Sequence, residues 1–395
     1  MPSQLAYVER SVLMWARRTA NLEPLAAARK INVPDSRIEE WENGSRRPTV
    51  PELRRAAVVY RRSLGVFFLS EPPAEFDTLR DFRRIGVGQD APWSAALHSE
   101  YRRAHQQREA ILDVLEIDGA EPAGSWRIQN LPRDNSAIAA AARARLLEVT
   151  PLPFPKASSR VEYRHLNFWI SALEEAGVLV MATAGGGVST EEMRAFSLYF
   201  DNVPVIALNG SDYPRPRTFS IVHEYVHLLL HTEGLCDTKT DTGATTANRR
   251  LEARCNAIAA EVLMPTADVL RQPLVAVHRP GDPWILDDLI VAARPFGVSM
   301  DSFFRRLATL GFASMEAYQR FHDVSREADL PARNGKPTFY NTKVRNLGKG
   351  YVRRVADAYR RTIIDTTTAT TYLDVKVNQI PKLSRLAQLN NSRGA

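Results

Sequence analysis

At 395 residues, with 44% hydrophobic and 25% charged side chains, the chain has an ordinary globular composition and length enough for about two or three domains. Its net charge of +7 rests mainly on arginine, in pairs such as Arg17-Arg18, Arg46-Arg47 and Arg54-Arg55; that suits a polyanionic partner, and a solvated surface explains it equally well. No apolar run approaches the roughly 20 residues needed to span a bilayer, "SVLMWA" lacks the flanks of a secretory leader, and Cys236 and Cys255 are too few for a disulfide scaffold, so a cytoplasmic protein without membrane attachment is expected.

In chain order, residues 1–70 read as five short helices separated by turn signals. Pro24 opens the second, the third runs from about Asp35 to Glu42 and stops at Gly44, and Pro72-Pro73 close the segment. A short helix, a tight turn and a second short helix form a helix-turn-helix pattern. "DFRRIGVGQD" reads as a loop, and "WSAALHSEYRRAHQQREAILDVLEI" as one long amphipathic helix. "NSAIAAAARARLLEV" is a further helix with Asn135 as its expected cap, and "TPLPFPKASS" is a proline-rich hinge. "VEYRHLNFWISALEEAG" is helical, then "VLVMAT", "FSLYF" and "VPVIALN" have strand character. "VPVIALN" is read as an edge strand on which an extended peptide could pair. "RTFSIVHEYVHLLLH", "NRRLEARCNAIAAEVLMP" and "WILDDLIVAARPFGVSMDSFFRRLATLG" supply helices, as does most of the tail beyond residue 336.

"HEYVH" within the first of these carries the chemistry. Residues four apart on a helix differ by about 40° in direction and about 6 Å in height, so His223 and His227 can share one ion. Glu224 lies about 100° round, placed to reach a water on that ion without ligating it. Catalytic zinc usually has three protein ligands, and Glu252, 25 residues beyond His227 on the next helix, is the expected third. His231 and Cys255 are rivals, read instead as a helix-end residue and a small core thiol. Tyr225 points away from the ion and should pack in the core.

"RTFSIVHEYVHLLLH" followed by "EARCNAIAAEVLMP" resembles the ImmA/IrrE family of metallopeptidases, and "LAAARKINVPDSRIEEWENGSRRPT" resembles an Xre-type helix-turn-helix. The resemblance implies an α+β, mostly helical chain. It divides into a helix-turn-helix bundle (1–72), a helical connector (73–155), a zincin-like metallopeptidase domain with a small sheet (156–315) and a helical C-terminal region (316–395). On the match, His223, His227 and Glu252 take the metal-ligand places and Glu224 the general-base place; Asn256 is a separate candidate to orient a ligand from behind. The family's alanine is Cys255 here, and Ile258 stands for an aromatic; neither departure is expected to touch the chemistry.

The implied activity is zinc-dependent endopeptidase, with Zn2+ replaceable by Mn2+ or Fe2+ on a His-His-Glu set. The bound ion would acidify a water and polarise the scissile carbonyl, while Glu224 moves the proton. The expected substrate is a small DNA-binding repressor or antitoxin encoded nearby, and double-stranded DNA is the expected second partner. On the second helix of the helix-turn-helix, Ser36, Arg37 and Glu40 should face the major groove while Ile38 and Trp41 face the core. Arg46 and Arg47, with Arg17 and Arg18, are expected at phosphates. Glu39, Glu40 and Glu42 work against DNA and leave protein docking as the alternative. A second reading makes the chain a DNA-binding regulator or antitoxin-like protein whose peptidase fold is an interaction module.

Overall fold

Two compact units divide the chain, Met1–Arg103 and Ala104–Ala395. The computed structural model describes residues 5–20, 22–60, 62, 64–72, 94–122, 126–155, 163–184, 187–231, 234–236, 246–279, 282–325 and 338–388. The loop expected at "DFRRIGVGQD", the end of the proline-rich hinge and the last residues of the tail lie outside them.

The first unit contains α1 (Arg10–Thr19), α2 (Pro24–Ile31), α3 (Arg37–Asn43), α4 (Val50–Val59) and a 3-10 turn at Leu64–Phe68. Each helix ends where a residue permits it. Asn32 and Gly44 take left-handed backbone after α2 and α3, and Thr49 and Glu52 form a reciprocal capping box ahead of α4. Val12, Ala16, Ala28, Ile31, Ile38, Trp41, Leu53 and Phe67 close the small core. Arg17 lies within this bundle, its guanidinium bonded to both oxygens of Glu42 at 2.6 and 2.8 Å. The expected phosphate role for Arg17 is thereby corrected: it is 7% exposed, and its charge is spent joining α1 to α3. Arg18 remains exposed.

The second unit takes up the long α5 (Ala95–Asp118) partway along its length. α6 (Asn135–Val149) is capped by Asp134, one residue ahead of the expected Asn135, through a bond from the Ala137 amide. α7 (Tyr163–Ala176) precedes β1 (Leu179–Ala182), β2 (Ala195–Leu198) and β3 (Val205–Leu208), and α8 (Pro214–Leu229) precedes the short β4 (Gly234–Cys236). α9 (Thr246–Leu263), α10 (Thr266–Leu270), α11 (Pro273–Ala276), α12 (Leu286–Ala293), α13 (Met300–Thr309) and α14 (Met315–Ser325) follow. α15 (Phe339–Leu347), α16 (Lys349–Arg360), α17 (Thr366–Leu373) and α18 (Ile380–Gln388) complete an α+β chain that is mostly helical. No helix among the described residues is long and apolar enough to cross a membrane.

The sheet order is β1-β3-β2-β4, with β3 parallel to β1 and antiparallel to β2. This corrects the expectation that "VPVIALN" is an edge. β3 has a strand on each side, which accounts for its unbroken apolar run. The edges are β1 and β4. α15 and α16 lie against β1, meeting at Gly348, whose φ is +88° and where an added Cβ would come within 2.0 Å of the Val180 carbonyl oxygen. Beside it, the buried Glu174 carboxylate accepts from the Gly350 amide at 2.8 Å and pairs with Arg353. Gly348→Ala should therefore cost on the order of 3 kcal/mol, since both the backbone region and the strand contact become unfavourable. A thermal midpoint equal to that of the parent protein would contradict this docking.

Candidate metal centre and helix-turn-helix

α8 starts at Pro214 and is buried on nearly every side, so it is a core helix rather than an amphipathic one. His223 and His227, one turn apart, bring their Nε2 atoms to 3.0 Å. α9 packs along α8 and delivers Glu252, with Oε2 3.3 Å from His223 Nε2 and Oε1 3.3 Å from His227 Nε2. One donor atom from each lies within 4.8 Å of the others. A tetrahedral zinc with bonds of roughly 2.0–2.2 Å needs donor-to-donor edges of about 3.3–3.6 Å; the two Nε2 atoms are 3.0 Å apart, and each lies 3.3 Å from a different oxygen of Glu252. Glu252 Oε1 also accepts no hydrogen bond although it is buried. Converging imidazoles and an unsatisfied carboxylate oxygen fit a divalent cation.

Electrostatics agree with that donor set. Burial pushes the His223 imidazole down, with Glu252 and Asn256 pulling the other way. Burial also opposes charge on His227, but contacts with Cys255 and Glu252 and the charge of Glu224 outweigh it and hold the ring above its ordinary value. Glu252 is likewise penalised by burial, yet the two imidazoles keep its carboxyl well below the usual carboxylate range. The Glu252 carboxylate facing two imidazoles offers the negative charge that a divalent cation would meet. Asn256 is close enough to raise the proton affinity of His223, though His223 Nδ1 makes no hydrogen bond of ordinary geometry.

One neighbour escaped the sequence reading. Ser197 on β2 is fully buried and its hydroxyl donates to Glu224 Oε2 at 2.7 Å. A single polar residue inside the apolar "FSLYF" was the available signal. Ser197→Ala should leave metal content intact and lower turnover about tenfold, because the buried carboxylate loses a bond that fixes its direction. Unchanged turnover would make Ser197 a packing residue only. Cys255 corrects an expectation: its buried Sγ lies 3.8 Å from His227 Nδ1, so the departure from alanine does touch an expected ligand. His231 is a helix-end residue as expected, with φ +57° and Nδ1 3.0 Å from the Tyr199 hydroxyl. Tyr225 donates to the Trp126 carbonyl at 2.8 Å in the core.

The model of the IrrE N-terminal-like peptidase domain matches residues 173–308, which include the whole donor triad, and a helix-turn-helix model matches residues 13–67. The chain carries an IrrE-like peptidase domain behind a helix-turn-helix domain. Neither a curated protein nor a solved structure matches it. The architecture is that of a protease joined to a DNA-binding module.

Within the helix-turn-helix domain, Ile38 and Trp41 enter the core as expected. Ser36 donates to Glu40 at 2.6 Å, and Arg37 reaches Glu40 at 3.1 Å and Glu52 at 2.9 Å. The Ser36 bond, with Arg37 and Arg46 nearby, holds the Glu40 carboxyl below its usual value. Two of the three acidic residues on α3 are therefore already paired, Glu40 with Arg37 and Glu42 with Arg17, and Glu39 remains exposed. Arg46 and Arg47 are exposed beyond the helix, Arg47 stacked over the Tyr7 ring at 4.3 Å.

Proposed function

We propose that the IrrE-like domain is a metal-dependent endopeptidase that cuts a regulatory protein, a repressor or antitoxin, and that the helix-turn-helix domain concentrates the enzyme at DNA or at a protein bound there. The convergence of His223, His227 and Glu252 beside a Glu224 fixed by Ser197 carries this reading. The three donors would hold the ion, most simply Zn2+, with Mn2+ or Fe2+ as substitutes. A bound divalent ion supplies Lewis acidity towards water and towards a peptide carbonyl. Glu224 accepts the proton of the attacking water and returns it to the leaving amine nitrogen. With β3 interior and β1 against α15 and α16, β4 is the edge on which an extended substrate would add by backbone pairing.

Ser36, Arg37, Glu40, Arg46 and Arg47 remain the residues proposed to face double-stranded DNA, with the exposed Arg46 and Arg47 at phosphates. The test incubates the metal-loaded chain with the products of adjacent genes and maps fragments by mass; one cut in an exposed segment of a small DNA-binding protein is expected. One observation favours a second reading. His223 and His227 are 1% exposed and Glu224 is 0% exposed, which suits a regulator whose peptidase domain serves as an interaction module. Intact neighbours with every metal, together with sequence-specific DNA binding, would decide for it.

A further inference from the structure

An open groove of about 900 Å3 lies on the peptidase-bearing unit, and none of the donor triad lines it. At about 100° per residue, Arg250, Arg254 and Ala257 face the opposite side of α9 from Glu252. Arg133 ahead of α6 and Asn135 at its start also line the groove, as do Leu230 and His231 just after α8. Its charged lining is entirely cationic, since Arg133, Arg250 and Arg254 line it and no aspartate or glutamate does. Arg254 is held in place by Asn135 Oδ1 at 2.9 Å and the Arg133 carbonyl at 3.0 Å. Arg133 and Arg250 are exposed, and no carboxylate pairs with them among the described residues. Asp134, next to Arg133, turns its carboxylate to the Ala137 amide as the cap of α6. The remaining lining is apolar, from Leu131, Leu229, Ala253 and Ala257.

We propose that this groove binds an acidic peptide segment with interspersed apolar side chains, belonging to the protein on which the chain acts. Arginine clusters recognise acidic motifs through paired hydrogen bonds and charge. The apolar half of the lining suits the apolar side chains of a peptide, whereas the phosphate backbone of a duplex would engage only the arginines. His231 links the groove to the chemistry: it lines the groove, follows the end of the helix that carries His227, and bonds Tyr199 just past β2. A chain passing the donor triad along the sheet edge could continue into the groove, so a remote segment would add affinity and select the substrate. The identity of the partner rests on the peptidase reading; the binding does not.

The test uses the full chain carrying Glu224→Gln, so that a bound peptide is not consumed. The probes are a fluorescein-labelled peptide of alternating glutamate and leucine, the same peptide with lysine for glutamate, and a short DNA duplex. The acidic peptide should bind, weaken with added salt, and lose at least tenfold in affinity with Arg133→Glu and again with Arg250→Glu, both at exposed positions. The lysine peptide should not bind. Absence of binding by the acidic peptide, equal binding of the lysine peptide, or affinity unmoved by both substitutions would overturn the proposal. A duplex whose binding falls with Arg250→Glu while the peptide does not compete would assign the groove to nucleic acid. Metal content measured on the same samples reports separately on the donor triad.

Discussion

Glu224→Gln should abolish peptide hydrolysis, with a fall of about 10²–10⁴-fold in turnover, while the protein retains its metal. The size of the effect is that of a general base whose proton transfer accompanies the difficult step. Glutamine keeps the length and shape of glutamate, and its amide oxygen can still accept the bond from Ser197, so the core around β2 and α8 is preserved. What disappears is the capacity to take up a proton. Metal analysis and thermal midpoint on the same preparation separate loss of chemistry from loss of structure. Retained cleavage would mean that another group accepts the proton and that the geometry around Glu224 serves packing. Loss of metal with this substitution would instead make Glu224 a ligand, against the placement of its carboxylate on Ser197.

The donor triad was legible because its chemistry is encoded in local spacing. His223, Glu224 and His227 fall within one stretch of helix, where periodicity alone sets direction, and Glu252 follows on the next helix of the same motif. Features formed between distant segments were not legible. "VPVIALN" has the same apolar character whether it lies at an edge or inside, and only pairing with both β1 and β2 decides which. β4 has three residues, one of them glycine, too few for any alternation to emerge. Arg17 looked like a phosphate contact because nothing local predicts a carboxylate on α3 folding back to it. Asp134 and Asn135 are both good caps, and the choice between them depends on where the preceding turn ends. Cys255, a rival ligand by its position, reads as a small core thiol; its contact with His227 depends on how α9 packs on α8, which no local pattern gives.

Glu252→Ala should remove most of the bound metal, and by more than the 10–100-fold that loss of an outer partner costs. The carboxylate is the only anion in the triad, and its two oxygens face the two imidazoles at 3.3 Å each. Without it, two buried imidazoles remain with their Nε2 atoms 3.0 Å apart and no negative charge between them, so a divalent cation would be held by neutral donors alone in a buried place. His223→Ala should behave similarly, since either substitution leaves two donors. His231→Ala is the informative contrast. Its imidazole is committed to Tyr199 through Nδ1 and its backbone has already left the helix, so metal should stay at about one ion per chain. Stoichiometry measured on metal-loaded, desalted protein distinguishes the two sets directly. Full occupancy in Glu252→Ala combined with loss in His231→Ala would move the third ligand to the end of α8, and with it the direction from which a substrate carbonyl could approach.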